Sequence, residues 1–207
     1  MRLRPRIYAI LIAAAVLLFA ARPAGAQSSP LHFGIEWGLS EKFFDVHNYN
    51  FLTEENLRVD DNNAGPDFHS NLFILGRAGA CIVDLFTVSL CAGYAGISRN
   101  RRIIPVTGLV TITPNGKDSD GFTAFLGSGI GIHDVKSDYI LFLGRAGAGY
   151  RYALDKAVSL DINLGFQVAL DHPEIWNPVE QKYVLEQRVL ESNAFYLATT
   201  LSLAVNF

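Results

Sequence analysis

The 207-residue chain carries 17 Lys and Arg against 20 Asp and Glu, a formal charge of −3, and half of its residues are hydrophobic. A mildly acidic chain lacks the basic face that a nucleic-acid partner needs, so no nucleic acid is expected among its partners. Beyond residue 26 no uninterrupted apolar stretch approaches the roughly 18 residues of a transmembrane helix, which excludes a helical membrane protein.

Arg2, Arg4 and Arg6 are followed by an uncharged run from Ile7 to Ala21, and Ala24-Gly25-Ala26 offers a small-residue cleavage site before Gln27. That order is the layout of a secretory signal peptide. The run is also too short for a retained spanning helix of about 20 residues. No Cys follows the cleavage site, so a lipoprotein anchor is not expected. Residues 1–26 are therefore read as a signal peptide and 27–207 as a single domain of 181 residues. Removing Arg2, Arg4, Arg6 and Arg22 leaves 13 basic against 20 acidic residues, a net of −7.

Strict apolar/polar alternation marks a strand with unlike faces. Residues 31–40 set Leu31, Phe33, Ile35, Trp37 and Leu39 against His32, Gly34, Glu36, Gly38 and Ser40. Residues 69–80 are less clean but compatible. Residues 85–96 set Phe86, Val88, Leu90 and Tyr94 against Thr87, Ser89, Cys91 and Gly93. After the less clean 102–112, residues 121–132 set Phe122, Leu126, Ile130 and Ile132 against Thr123, Gly127, Gly129 and Gly131. Residues 139–152 are again mixed. Residues 158–170 alternate without a fault, from Val158 to Leu170 on one face and from Ser159 to Ala169 on the other. That run exceeds the usual globular strand and is long enough to cross a bilayer. The last stretch places Phe195, Leu197, Leu201, Leu203, Val205 and Phe207 on one face, which completes eight strands.

The links between them alternate in length. Those at 81–84, 113–120 (with the turn Pro114-Asn115-Gly116) and 153–156 are short, 133–138 is short and 97–101 intermediate. Links 41–68 and 171–191 are long. Long loops at one end and short turns at the other is the plan of a bacterial outer-membrane barrel. An even strand count puts both chain ends on the short-turn, periplasmic side.

These features resemble the small outer-membrane barrels of the OmpA/OmpX superfamily over residues 31–207. Leu203-Ala204-Val205-Asn206-Phe207 resembles the family's C-terminal assembly signal, and Gly149-Tyr150-Arg151-Tyr152 with Val158-Ser159-Leu160-Asp161 resembles its hairpins. The resemblance implies an all-β fold, an eight-stranded antiparallel up-and-down transmembrane β-barrel in the bacterial outer membrane. It further implies partners in outer-membrane lipid, lipopolysaccharide and the barrel-assembly machinery, which would read Phe207. No tail follows the barrel, so wall anchoring through a peptidoglycan-binding domain is not expected. Alternation alone leaves open a lipocalin-like soluble barrel with its apolar face inward. The small, Gly-rich polar faces and the acidic loops favour the membrane orientation.

With the polar faces inward, Glu36, Arg77, Arg145, Arg151 and Asp161 all reach the lumen. Narrow eight-stranded barrels are filled by side chains, and buried charges need partners. A salt-bridged plug is expected, with Glu36 and Asp161 as partners for Arg77 and Arg145; a wet pore is the alternative. Leu75-Gly76-Arg77-Ala78-Gly79-Ala80 recurs as Leu143-Gly144-Arg145-Ala146-Gly147-Ala148, four strands apart. Arg99, Arg101 and Arg102 form a basic cluster on an otherwise acidic rim, placed either to meet lipopolysaccharide phosphates or to pair with neighbouring loop acids.

No catalytic constellation assembles. Gly127-Ser128-Gly129-Ile130-Gly131 has no helix after it, as a nucleotide-binding loop requires. Phe68-His69-Ser70-Asn71 resembles the His/Ser stretch of outer-membrane lipid A deacylases, but that family has one residue between His and Ser, and adjacent strand residues point apart. His47, His69, His133 and His172 lack metal-ligand spacing. Neither a cofactor nor a metal is called for, and no enzyme is expected. If the second hairpin turns near Asp84, Cys91 lies opposite Arg77 and Cys81 opposite Thr87, too far apart for a disulfide. The functional reading is a structural or surface-interaction barrel acting through its loops, with a narrow channel or carrier of a small hydrophobic ligand as the alternative.

Overall fold

In the computed structural model, residues 31–98, 101–133, 140–155 and 158–207 are described. The expected signal peptide at 1–26, Arg99 and residues 134–138 of the fifth link lie outside them. The strands in chain order are β1 (Leu31–Leu52), β2 (Arg58–Val83), β3 (Phe86–Ser98), β4 (Arg101–Ile112), β5 (Gly121–His133), β6 (Ile140–Ala153), β7 (Ser159–Asp171), β8 (Trp176–Asn177), β9 (Lys182–Tyr183) and β10 (Val189–Asn206). Eight of them form one closed antiparallel ring in the order β1-β10-β7-β6-β5-β4-β3-β2, while β8 and β9 make a separate two-stranded ribbon. The ring closes where the chain ends meet: Phe207 N–H donates to Phe33 O at 2.7 Å and Phe33 N–H to Phe207 O at 3.2 Å.

The side-chain faces follow the alternation. Phe122, Leu126, Leu164, Phe166 and Leu201 point outward and are exposed. Thr87, Ser89, Thr123, Asn163, Thr200 and Ser202 point inward and are buried. The barrel is thus inside out, apolar towards its surroundings and polar within, the reverse of a soluble protein. Glycines on the inner face make room for larger neighbours. A Cβ on Gly147 or Gly165 would lie 2.6 or 2.9 Å from Cζ of Phe125, whose ring fills the space between them.

The three mixed segments have a common cause. Their inward positions carry Phe73 and Leu75 (β2), Ile103 and Leu109 (β4), and Leu141 and Leu143 (β6), all buried. With apolar residues on both faces, the period-two contrast weakens although the strands are regular.

The expected long loop at 41–68 is mostly strand. β1 and β2 stay paired from Leu31↔Ala80 to Leu52↔Arg58, which leaves a turn at 53–57. Asn56 adopts φ 61 in that turn, a left-handed conformation that Asn tolerates. β10 reaches the same height, with Phe51 opposite Val189. The three strands rise beyond the ring as an arm at its distal end, the end away from the chain termini. A bulge between Lys42 and Phe44 marks its base and shifts the inward set of β1, so that Asp45 faces the buried Tyr196.

The second link at 81–84 turns as expected. Cys91 pairs with Arg77 and Cys81 with Thr87, and both thiols are free. In the turn after β4, Gly116 has φ 89 and donates its N–H to Thr113 O at 2.9 Å.

Candidate functional site

The candidate site is the barrel interior, which is built in layers. Glu36 is the centre of the lower layer, its side chain fully buried. Arg77, from β2, donates through Nη2 to Glu36 Oε2 at 2.5 Å and through Nε to the same oxygen at 3.2 Å. Arg145, from β6, donates to Oε1 at 2.7 Å, and the Ser202 hydroxyl of β10 donates to Oε1 at 2.7 Å. The two arginines are the equivalent positions of the internal repeat, so both copies converge on one carboxylate. Two guanidiniums against one carboxylate leave a positive excess, which the Phe73 ring at 5.2 Å and the Phe125 ring at 5.9 Å from the Arg145 guanidinium help to satisfy.

Asp161 is taken by a different partner from those expected for it. It forms a two-pronged pair with Arg151, Nε to Oδ1 at 2.7 Å and Nη2 to Oδ2 at 2.8 Å, and accepts Asn206 Nδ2 at 2.9 Å. The reason is register: Arg151 lies directly opposite Asp161 on the neighbouring strand.

Distal to Glu36 the inward residues turn apolar. Phe73, Leu75, Ile103, Leu141, Leu143, Ala169 and Tyr196 belong to one buried cluster that fills the ring as a septum. Where this septum meets Arg145, Pro105 and Thr107, a cavity of about 10 Å³ remains, space for about one water.

Above the septum lies a second charged layer, at the base of the arm. Lys42, almost fully buried, pairs with Asp45 at 2.8 Å and with Asp67, and sits 5.0 Å from the Tyr196 ring centre. Asp171 accepts from Arg101 at 2.8 Å and bonds His133 Nε2 at 2.9 Å. The sequence reading placed Lys42, Asp45 and Asp171 in loops and missed this layer. A signal existed for two of them. Lys42 continues the inward even positions of β1 after Ser40, and Asp171 continues the inward odd positions of β7 after Ala169.

The arginine cluster does not stay together. Arg101 and Arg102 are successive strand residues and point apart: Arg101 turns inward to Asp171 and the Tyr196 hydroxyl, while Arg102 is exposed on the outer face. Arg99 lies outside the described residues. Among the described residues no group of three His, Cys, Asp or Glu is placed to hold a metal ion. His133 and Asp171 form a base–orienter pair, and among the described residues no serine, threonine or cysteine is bonded to that His133 ring.

No family model and no curated protein matches the chain. Solved structures do. The outer-membrane protein OprG from Pseudomonas aeruginosa is 14% identical over 85% of this chain and 95% of its own, with a TM-score of 0.48. The N-terminal β-barrel domain of Pseudomonas aeruginosa OprF is 13% identical over 84% and 97%, at 0.37. The outer-membrane protease OmpT from Escherichia coli is 7% identical over 89% and 99%, at 0.42. Likeness at that level carries no argument about activity, and the architecture rests on the strand order itself. By that order and by its inside-out faces the chain is an eight-stranded antiparallel up-and-down β-barrel, the fold implied by its resemblance to the small outer-membrane barrels.

Proposed function

We propose that the protein is an integral, non-enzymatic outer-membrane β-barrel, exported by its signal peptide, whose lumen is closed and whose distal arm carries a structural or surface-interaction role. The observation that carries this reading is the layered interior. Two layers of ion pairs, centred on Glu36 and on Lys42 and Asp171, bracket the apolar septum, which leaves space for about one water. An apolar exterior that would be a liability in water is matched to lipid, where a closed ring satisfies every spanning backbone group internally.

Two measurements test it. Unboiled protein in detergent should migrate differently from boiled protein on a gel, as a closed barrel resists unfolding by detergent alone. Planar-bilayer recordings should show no steady conductance; a stable open channel would replace the plugged barrel with the narrow-channel alternative.

The barrel-assembly machinery is the proposed reader of Phe207, whose backbone closes the ring with Phe33. On this reading the arm faces outside and the short turns face the periplasm. Single cysteines at positions 61 and 155, in a background without Cys81 and Cys91, check that orientation in intact cells. A membrane-impermeant thiol reagent should label position 61 and spare position 155; the opposite pattern would invert the barrel.

Lipopolysaccharide contact is proposed for Arg102 rather than for the cluster, because Arg101 is engaged by Asp171. Arg102→Gln should therefore reduce lipopolysaccharide co-purification without lowering stability. Arg101→Gln should lower stability instead, since it strips the buried Asp171 carboxylate of one partner. Undiminished lipid retention in Arg102→Gln would remove the contact.

A further inference from the structure

The lower charged layer is not balanced. Its buried charges, among the described residues, are Arg77, Arg145 and Arg151 against Glu36 and Asp161. Arg151 and Asp161 neutralise each other in their two-pronged pair. The excess falls on the other three, where Arg77 and Arg145 share the carboxylate of Glu36. Ring faces attract a cation but bring no net charge. One buried positive charge is therefore left without a counter-ion, a costly state for a guanidinium, which cannot release its proton.

The same arginine has an unused donor. Arg145 turns both terminal nitrogens to Glu36, Nη2 at 2.7 Å and Nη1 at 3.4 Å. Its Nε is buried and has no hydrogen-bond partner. Thr107 Oγ1 is in the same condition; it stands across the ladder from Cys91, whose thiol is a weak partner. Both residues are more than nine-tenths buried, and both line the cavity of about 10 Å³ at the foot of the septum. The rest of that wall is mainly apolar, Leu75, Ile103 and Leu143 among it, with Gln167 bringing one amide.

A cavity, two orphaned polar atoms and an uncompensated charge thus coincide. One water would satisfy the two atoms but would leave the charge. A small anion answers all three, accepting from the Arg145 Nε–H and the Thr107 O–H while cancelling the excess. The space is too small for phosphate, sulfate or a carboxylate, whereas chloride is only a little larger than water.

We infer that this cavity is a binding site for one monatomic halide, chloride, held between Arg145 Nε and Thr107 Oγ1 as the counter-ion of the Glu36 layer. The charge-assisted bond to Nε is the stronger contact, and the apolar septum keeps water from screening it. The site goes beyond the closed-barrel reading and assigns no transport to the lumen.

The test refolds the full barrel in detergent at fixed ionic strength while sodium chloride replaces sodium gluconate, an anion too large for the cavity. Fixed ionic strength holds the screening of ion pairs constant. Between about 1 and about 100 mM chloride the folding equilibrium constant should rise about ten-fold, as for one site with a Kd of about 10 mM. Arg145→Met should abolish the rise. Thr107→Val, which keeps the side-chain shape, should weaken chloride binding at least about five-fold. Arg102→Gln, which removes an exposed arginine, should keep the full response. Each variant is compared with itself across the titration and checked for heat-modifiable mobility, so loss of the site is separable from loss of the barrel. Crystals grown in bromide should show an anomalous peak beside Arg145 Nε and Thr107 Oγ1. A flat response in the unmodified protein, an undiminished response in Arg145→Met or Thr107→Val, or a bromide peak only elsewhere would overturn the proposal and leave the cavity to water.

Discussion

Glu36→Gln is expected to lower the unfolding free energy of the barrel in detergent by about 3 kcal/mol, the lower end of the range for removing one partner from a buried ion pair. The substitution keeps the shape of the side chain and the acceptor for Ser202, but it removes the one carboxylate that, among the described residues, pairs with both Arg77 and Arg145. Two buried guanidiniums then face each other without a counter-charge. The reverse change is milder. Arg145→Met leaves Glu36 paired with Arg77 and places an apolar chain beside Phe73 and Phe125, so its effect should be clearly smaller. Urea midpoints followed by tryptophan fluorescence make the comparison. An unchanged midpoint in Glu36→Gln would mean that water reaches the layer and screens it, against the plugged interior.

The second large effect lies on the opposite face of the wall. Leu164 is 64% exposed, and in a soluble barrel its replacement by arginine would be nearly free. On a lipid-facing surface near the bilayer midplane the same change costs about 2–4 kcal/mol. Leu164→Arg should therefore destabilise the barrel folded into lipid vesicles by about that amount. In contrast, Glu180→Arg, on the loop above the arm, should fall within about 0.5 kcal/mol, as surface substitutions usually do. Equal, small effects at both positions would place water against the outer face and return the lipocalin-like reading.

The eight strands, their faces and the inward set Glu36, Arg77, Arg145, Arg151 and Asp161 were legible because period-two alternation is a direct imprint of two unlike environments. The faultless run at 158–170 became β7 within one residue at each end. Where the contrast disappears, so does the signal. The mixed segments around Phe73, Ile103 and Leu141 read poorly because the septum makes both faces apolar, and the arm at 41–68 read as a loop because polar and apolar residues are mixed on both of its faces. Hydrogen-bonded pairing persists through both, but pairing leaves no mark on composition.

Residue order alone therefore determined the barrel class, the eight strands of the ring and which side chains share a face in the evenly alternating strands. Which inward charges meet was decided only by the closed ring. Register sets Arg151 opposite Asp161, closure brings β2, β6 and β10 to one carboxylate of β1, and the bulge at the base of the arm turns Asp45 towards Tyr196. Those are contacts between residues from 10 to 166 positions apart. Their partners depend on stagger and closure, which alternation along a single strand does not encode.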